Sequence, residues 1–216
     1  MAREMTAVKR SYDASGRRRQ AQERRHRVVL AAREQFERNG FRLATVAAIA
    51  ERAQVSPETV YKTFGGKGAI AKAIFDLEVA GDDAPEPIAD RREAQEVRDE
   101  PDLRRKIALF VEGLARRQSR SAWVHILIRD GRHVDDTLQA VWSALNDEAF
   151  TAATTLADLL VATGQVRPDM TPGDVRDSVW NYFAIDHYER LVLHRGWSLE
   201  RYTSWLARTI TDTVCA

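Results

Sequence analysis

From Gln20 to the end of the chain, apolar side chains recur at helical spacing, and no alternating apolar run is long enough to propose a sheet. A chain whose hydrophobic period is 3.6 throughout can bury its apolar surface only by packing helices on one another. The expected fold class is therefore all-α, with about nine helices. Helix stops and starts divide the pattern. Asn39-Gly40 and Gly65-Gly66 read as C-terminal stops, and Ser56-Pro57 and Thr171-Pro172 read as starts in which proline takes the first helical position.

The punctuation gives four segments. Residues 1–19, which include Arg17, Arg18 and Arg19, show no apolar periodicity and read as a flexible basic arm. Residues 20–81 hold four helices: one marked by Val29, Ala32 and Phe36, a short one from the cap Thr45, another short one from Ser56-Pro57, and one from Lys67 carrying Ile70, Ile74 and Leu77. Residues 82–100 read as a linker with a short helix. In residues 101–216 the spacing predicts a helix through Leu103 and Leu114, a second over Trp123–Gly131, a long third over Asp135–Gly164, a fourth from Thr171-Pro172 to about Arg195, and a last from Ser198.

Charge separates the two ends. The net charge is +1, yet residues 1–80 hold 16 Lys/Arg against 9 Asp/Glu and residues 81–216 hold 17 against 23. A basic N-terminal part suits a polyanion such as nucleic acid, which the acidic remainder would repel. Scattered charge that merely confers solubility is the alternative. No stretch has the ~18 apolar residues of a membrane helix. The start of the chain lacks the apolar core of a secretory signal, and the only thiol is Cys215, so the expectation is a cytoplasmic protein without a disulfide framework or a thiolate zinc site.

Two short helices joined by a tight turn inside the basic part make a helix-turn-helix candidate, whose second helix can enter the major groove. An αα-turn of an ordinary bundle has the same spacing. The segment Phe41–Ile70 resembles the DNA-binding module of the tetracycline-repressor (TetR) family of transcriptional regulators. It joins Gly40-Phe41, Thr45-Val46, Ile49-Ala50, Ala53, Val55-Ser56, Thr59-Val60-Tyr61, Phe64 and Lys67 at one fixed spacing.

The resemblance implies Thr45 and Lys67 at phosphates, and Thr59 and Tyr61 at the DNA backbone and a base. Glu58, Thr59, Lys62 and Thr63 are left as the base-reading candidates. Three positions depart from the family pattern: Gln54 replaces the usual turn glycine, Thr63 a frequent histidine, and Gly66 a serine-like cap. If the backbone at Gln54 has positive φ, the side chain there costs about 1 kcal/mol.

The second part is rich in aromatic and histidine side chains. Phe110, Trp123, His125, Trp142, Phe150, Trp180, Phe183 and His187 are the candidates for lining a small-molecule site, which the resembled family encloses here; a plain bundle core accounts for each of them equally simply. No G-x-S-x-G, G-x-G-x-x-G or P-loop spacing occurs, no Cys/His ligand set forms, and no catalytic residue, cofactor or metal is proposed.

The reading is a homodimeric regulator of double-stranded operator DNA. A repressor that binds a palindrome and is released by an apolar or aromatic small molecule fits best, with the dimer formed through the last two helices. A helical enzyme or carrier, and a DNA-binding protein without a ligand, are the alternatives.

Overall fold

A computed structural model describes the backbone of residues 5–81 and 88–216 and the side chains of residues 16–81 and 89–216. The described residues form ten α-helices and no strand. They are α1 (Met5–Leu43), α2 (Val46–Ala53), α3 (Pro57–Phe64), α4 (Lys67–Ala80), α5 (Arg92–Asp99), α6 (Leu103–Gly131), α7 (Asp136–Val161), α8 (Pro172–Tyr182), α9 (Ile185–Tyr188) and α10 (Leu199–Val214). A 3-10 turn, Ile88–Asp90, precedes α5, and a π-helical segment, Glu189–His194, continues α9. The chain divides into two compact units, Met1–Ile74 and Phe75–Ala216, with the boundary inside α4.

In the first unit, α1 packs on α2 and α2 on α3. Val28, Val29, Ala32 and Phe36 from α1 are buried, as are Ile49, Ala50 and Ala53 from α2, Val60 and Phe64 from α3, and Ile70 and Ile74 from α4. Both short helices carry their own start signals. The Thr45 hydroxyl accepts from the Ala48 amide at 3.1 Å, and the Ser56 hydroxyl accepts from the Thr59 amide at 3.1 Å, with Pro57 at the first helical position. Each such cap stabilises its helix by about 1 kcal/mol. Gly40, with φ 68°, breaks the helical backbone of α1 where the sequence predicts a stop.

The turn between α2 and α3 is made by Gln54, whose φ of 56° and ψ of 46° make it the only non-glycine residue with positive φ among the described residues. The left-handed region brings Cβ against the following carbonyl oxygen at about 1–2 kcal/mol per residue, and glycine escapes this. Gln54→Gly should therefore raise the thermal midpoint of the N-terminal unit by about 4 °C. A scanning calorimetry trace with an unchanged or lower midpoint would contradict the strain at this position.

Three expectations of the sequence reading change. The flexible arm over residues 1–19 does not match the backbone: helix α1 begins at Met5 and runs through the arginine run, while residues 1–4 lie outside the described residues. The two helices expected between 101 and 131 are one, α6. The helix continues through the polar stretch between them, where Gln118 and Ser121 are buried on its inner side. The helix expected from Pro172 to about Arg195 is broken at Phe183 and Ala184, where Ala184 leaves the helical region at ψ 129°.

In the second unit α6 packs on α5, α7, α9 and α10, and α8 packs on α7 and α10. The core joins Leu103, Ile107 and Val111 of α6, Leu156 and Leu160 of α7, Val175 and Val179 of α8, Ile185 and Tyr188 of α9, and Tyr202, Leu206, Ile210 and Val214 of α10. Two buried polar side chains of this unit, Tyr202 and Lys106, are hydrogen-bonded. The Tyr202 hydroxyl donates to Gln118 Oε1 at 2.9 Å. The Lys106 ammonium donates to the carbonyls of Val97 and Arg98 at 2.8 and 2.9 Å, which closes the C-terminal turn of α5. Burial pulls the Lys106 ammonium below its ordinary pKa, against the opposing pull of Glu100 and Asp99.

Helix α10 buries one stripe and turns Ser204, Arg208 and Asp212 outward. Part of the aromatic surface of the last helices is absorbed within the unit. Phe183 stacks on Phe110 with centroids 5.2 Å apart, and Trp205 lies against Trp197 and His187. Trp180 of α8, 40% exposed and in edge contact with the 38% exposed Phe150 of α7, stays open, as do Leu193 and Leu199. No described helix is long and apolar enough to cross a membrane.

Candidate nucleic-acid interface

Helix α3 has a clean division of faces. Val60 and Phe64 anchor it inward, and Glu58, Tyr61, Lys62 and Thr63 are exposed. Two of its hydroxyls are engaged within the helix. Thr63 donates to the Thr59 carbonyl at 2.7 Å, and the Thr59 hydroxyl shares a hydrogen bond with that of Ser56 at 2.9 Å. Thr45 is engaged likewise as the cap of α2. The polar ends of Glu58, Tyr61 and Lys62 have no such partner among the described residues, and Tyr61 is 55% exposed. A 55% exposed phenol beside an exposed lysine on a two-turn helix has the reach to meet a phosphate and a base edge together.

Lys67 is placed differently from its phosphate role in the resemblance. Its ammonium donates to the carbonyls of Phe41 and Ala44 at 2.8 and 2.9 Å and lies 4.5 Å from the centre of the Phe41 ring. Those carbonyls end the last stretch of α1, so Lys67 ties the corner between α1 and α2, with one N–H left over. Helix α4 thereby contributes a brace for the corner between α1 and α2.

The arginines of α1 include Arg24, Arg25 and Arg27 besides the Arg17–Arg19 run of the expected arm. Six lie between residues 17 and 27, all exposed and all on the continuous helix α1. The Arg25 guanidinium sits 4.5 Å over the Phe64 ring at the end of α3, which places a cation at the edge of the candidate interface. The signal was present in the sequence as charge, but only the continuity of α1 carries it to α3. Arg52 is held by Glu34 at 2.8 Å and braces α2 to α1.

The candidate ligand residues of the second unit take part in several aromatic contacts. Phe110 and Phe183 stack on each other at the core edge. His125 lies between Phe75 and Trp142, with Arg132 over the Trp142 ring at 5.0 Å. Phe150 and Trp180 form the open pair, with Arg176 over Phe150 at 4.8 Å. His187 stacks between Tyr182 and Trp205. Trp123, half-buried, is on α6. Burial, together with the positive charge of Arg129, pulls the His125 imidazole down to about 4.

The C-terminal end of α4 is held by two arginines. Arg120 of α6 donates from Nε to the Glu78 carbonyl at 2.8 Å and from a terminal nitrogen to the Val79 carbonyl at 2.9 Å, and Arg91 donates to the Ala80 carbonyl at 2.8 Å. Cations on the last carbonyls of a helix satisfy both the orphaned acceptors and the dipole. Gly81, with φ 78°, allows this, since a Cβ there would lie 2.9 Å from Arg120 Cζ.

A capped two-helix corner, α2–α3, with a polar, exposed second helix and the basic helix α1 before it has the form of a helix-turn-helix unit. Residues 28–74 match the family model of bacterial regulatory proteins, tetR family. That stretch of the N-terminal unit is similar to the DNA-binding module of the family, and the chain shares the fold of TetR-family transcriptional regulators. A candidate TetR-family regulator from Rhodococcus sp. shares that fold at 18% identity, with 90% of this chain and 100% of that one covered and a TM-score of 0.66. The fatty acid degradation regulator FadR from Bacillus halodurans does so at 14% identity, with coverage of 87% and 94% and a TM-score of 0.67. FadR from Bacillus subtilis, in complex with stearoyl-CoA, does so at 15% identity, with coverage of 86% and 96% and a TM-score of 0.63. No curated protein matches the sequence.

Proposed function

We propose that this protein is a cytoplasmic transcriptional repressor that binds a palindromic operator as a homodimer and is released by a small molecule held in its second unit. The observation that carries the reading is the exposed face of α3, where Glu58, Tyr61 and Lys62 stand without protein partners beside the arginines of α1. Two-fold pairing suits such a module, because half-sites of a palindrome lie about one helical turn, ~34–36 Å, apart. The last two helical stretches, from Pro172 onward, are the proposed dimer surface, and Trp180, Leu193 and Leu199 are the exposed apolar side chains there that a second copy would cover. Stearoyl-CoA in the Bacillus subtilis neighbour supports a ligand-responsive second unit here.

The test is a fluorescence-anisotropy titration of promoter fragments upstream of the gene and of its neighbours. Tight, salt-dependent binding to a palindrome with two chains per site is expected. Tyr61→Phe should weaken it roughly tenfold, as for the loss of a hydrogen bond to a charged group of about 1.5 kcal/mol. Lys62→Ala should reduce the slope of log K against log salt by about 0.9 if it contacts a phosphate, and should relax base preference if it reads a base edge. Wild-type protein that binds no fragment more tightly than random DNA would sink the proposal.

A further inference from the structure

Arg117 of α6 carries a charge that its surroundings leave unpaired. Its guanidinium is half-buried and makes no hydrogen bond or ion pair with another described residue. The carboxylate nearest in influence, Glu93 of α5, is engaged by Arg116 at 3.1 Å. Arg120, one turn further along α6, is engaged by the Glu78 and Val79 carbonyls. Burial, and then the two flanking arginines, weigh against the Arg117 charge, with Glu93 alone favouring it. The helix nevertheless makes room for the group: a Cβ on Gly113, one turn earlier, would stand 2.9 Å from a terminal nitrogen of Arg117. Leu114 and Ser121, on either side along the helix, are buried. A guanidinium that is partly desolvated, flanked by like charge and accommodated by a glycine is stabilised by an anion brought to it.

We infer that Arg117 is the anchor for the acid group of a small carboxylate-bearing effector. The planar fork of N–H donors matches one carboxylate in a bidentate pair, and one unpaired cation matches one negative charge. A dianionic phosphate ester would require a second free cation, and both neighbouring arginines are already engaged. Arg120, three residues on, holds the C-terminal carbonyls of α4, so an anion at Arg117 changes the field on that clamp. The inference rests on the ligand-responsive reading above and adds the chemical class of the ligand.

The test is differential scanning fluorimetry and titration calorimetry on the full chain with sodium octanoate and sodium benzoate. 1-Octanol and benzamide serve as neutral analogues, and sodium chloride at matched ionic strength controls for screening. A carboxylate should raise the thermal midpoint by about 5 °C at saturation, and the neutral analogues should not. Arg117→Met should raise the midpoint of the free protein and abolish the carboxylate shift, whereas Arg117→Lys should retain the charge and a weaker shift. Should Arg117→Met not fold, the loss of affinity in Arg117→Lys by calorimetry decides the matter. No shift with either carboxylate, an equal shift with chloride or the neutral analogues, or an unchanged shift in the Arg117 variants overturns the proposal. The promoter titration separates the two failures: operator binding without an Arg117-dependent shift leaves the regulator and removes the site, and the reverse leaves the site and removes the regulator.

Discussion

Arg129→Met should lower the unfolding free energy by about 3 kcal/mol, seen as a fall in the urea midpoint at unchanged m-value. One terminal nitrogen of Arg129 lies 2.6 Å from Glu189 Oε2 and 3.1 Å from Asp186 Oδ1, and its Nε lies 2.9 Å from Asp130 Oδ1. The Arg129 and Glu189 side chains are only 14% and 17% exposed, so removing the cation strands a carboxylate that water reaches poorly. The hydrogen bond to Glu189 holds the Arg129 pKa above its ordinary value, against burial, with Asp130 and Asp186 adding to it. Asp186 is 47% exposed, which keeps the expected loss at the lower end of the range for a broken buried pair. The double variant Arg129→Met, Glu189→Gln should recover most of the loss. The affected segment is α9 and its π-helical continuation, so amide exchange at residues 189–194 should accelerate first. A loss below about 1 kcal/mol would show that the network acts as a surface pair.

Stability should fall by about 3 kcal/mol between pH 6.5 and pH 4 through His125 alone. The folded imidazole is pulled down to about 4 by burial and then by Arg129, with Asp186 opposing, whereas in the unfolded chain it titrates near 6.5. Within this window the unfolded state binds the proton and the folded state does not. Stability is therefore insensitive to this group above pH 6.5, declines as pH drops, and levels off below pH 4. The groups facing the ring are Phe75 at 5.1 Å and Trp142 at 5.7 Å, neither of which titrates. His125→Phe should flatten this part of the pH profile in parallel urea titrations; an unaltered acid limb would assign the effect to the carboxylates.

Much of the first unit is legible from sequence because its signals are local. Caps, a proline at the first helical position and a stop glycine act within four residues of where they stand, so Thr45, Ser56-Pro57 and Gly40 declare their turns without help from the rest of the fold. The strain at Gln54 is equally local, since a tight helix-to-helix corner needs one left-handed residue whichever side chain occupies it. The resemblance to the TetR module gathers these local signals at one spacing, and the match over residues 28–74 covers the same stretch.

The second unit is less transparent. Helical periodicity marks Phe110, His125, Trp142, Phe150, Trp180, Phe183 and His187 as apolar or aromatic positions, but not which of them meet. Chain-distant packing places them in separate clusters. The break after Tyr182 was invisible for the same reason, because Asp186 and Glu189 are drawn to Arg129, 57 and 60 residues earlier in the chain. Lys67 shows the limit most sharply: the family resemblance implies a phosphate contact, and its two hydrogen bonds to carbonyls 26 and 23 residues away make it a brace. By itself the sequence determined the all-helical class, the two-part charge division and the helix-turn-helix corner, since these depend on periodicity, composition and neighbours in the chain. Only the tertiary structure decided which charges are paired and which, like Arg117, are left over, because a salt bridge or a clamp on a carbonyl is set by the distance between groups that the chain order leaves unspecified.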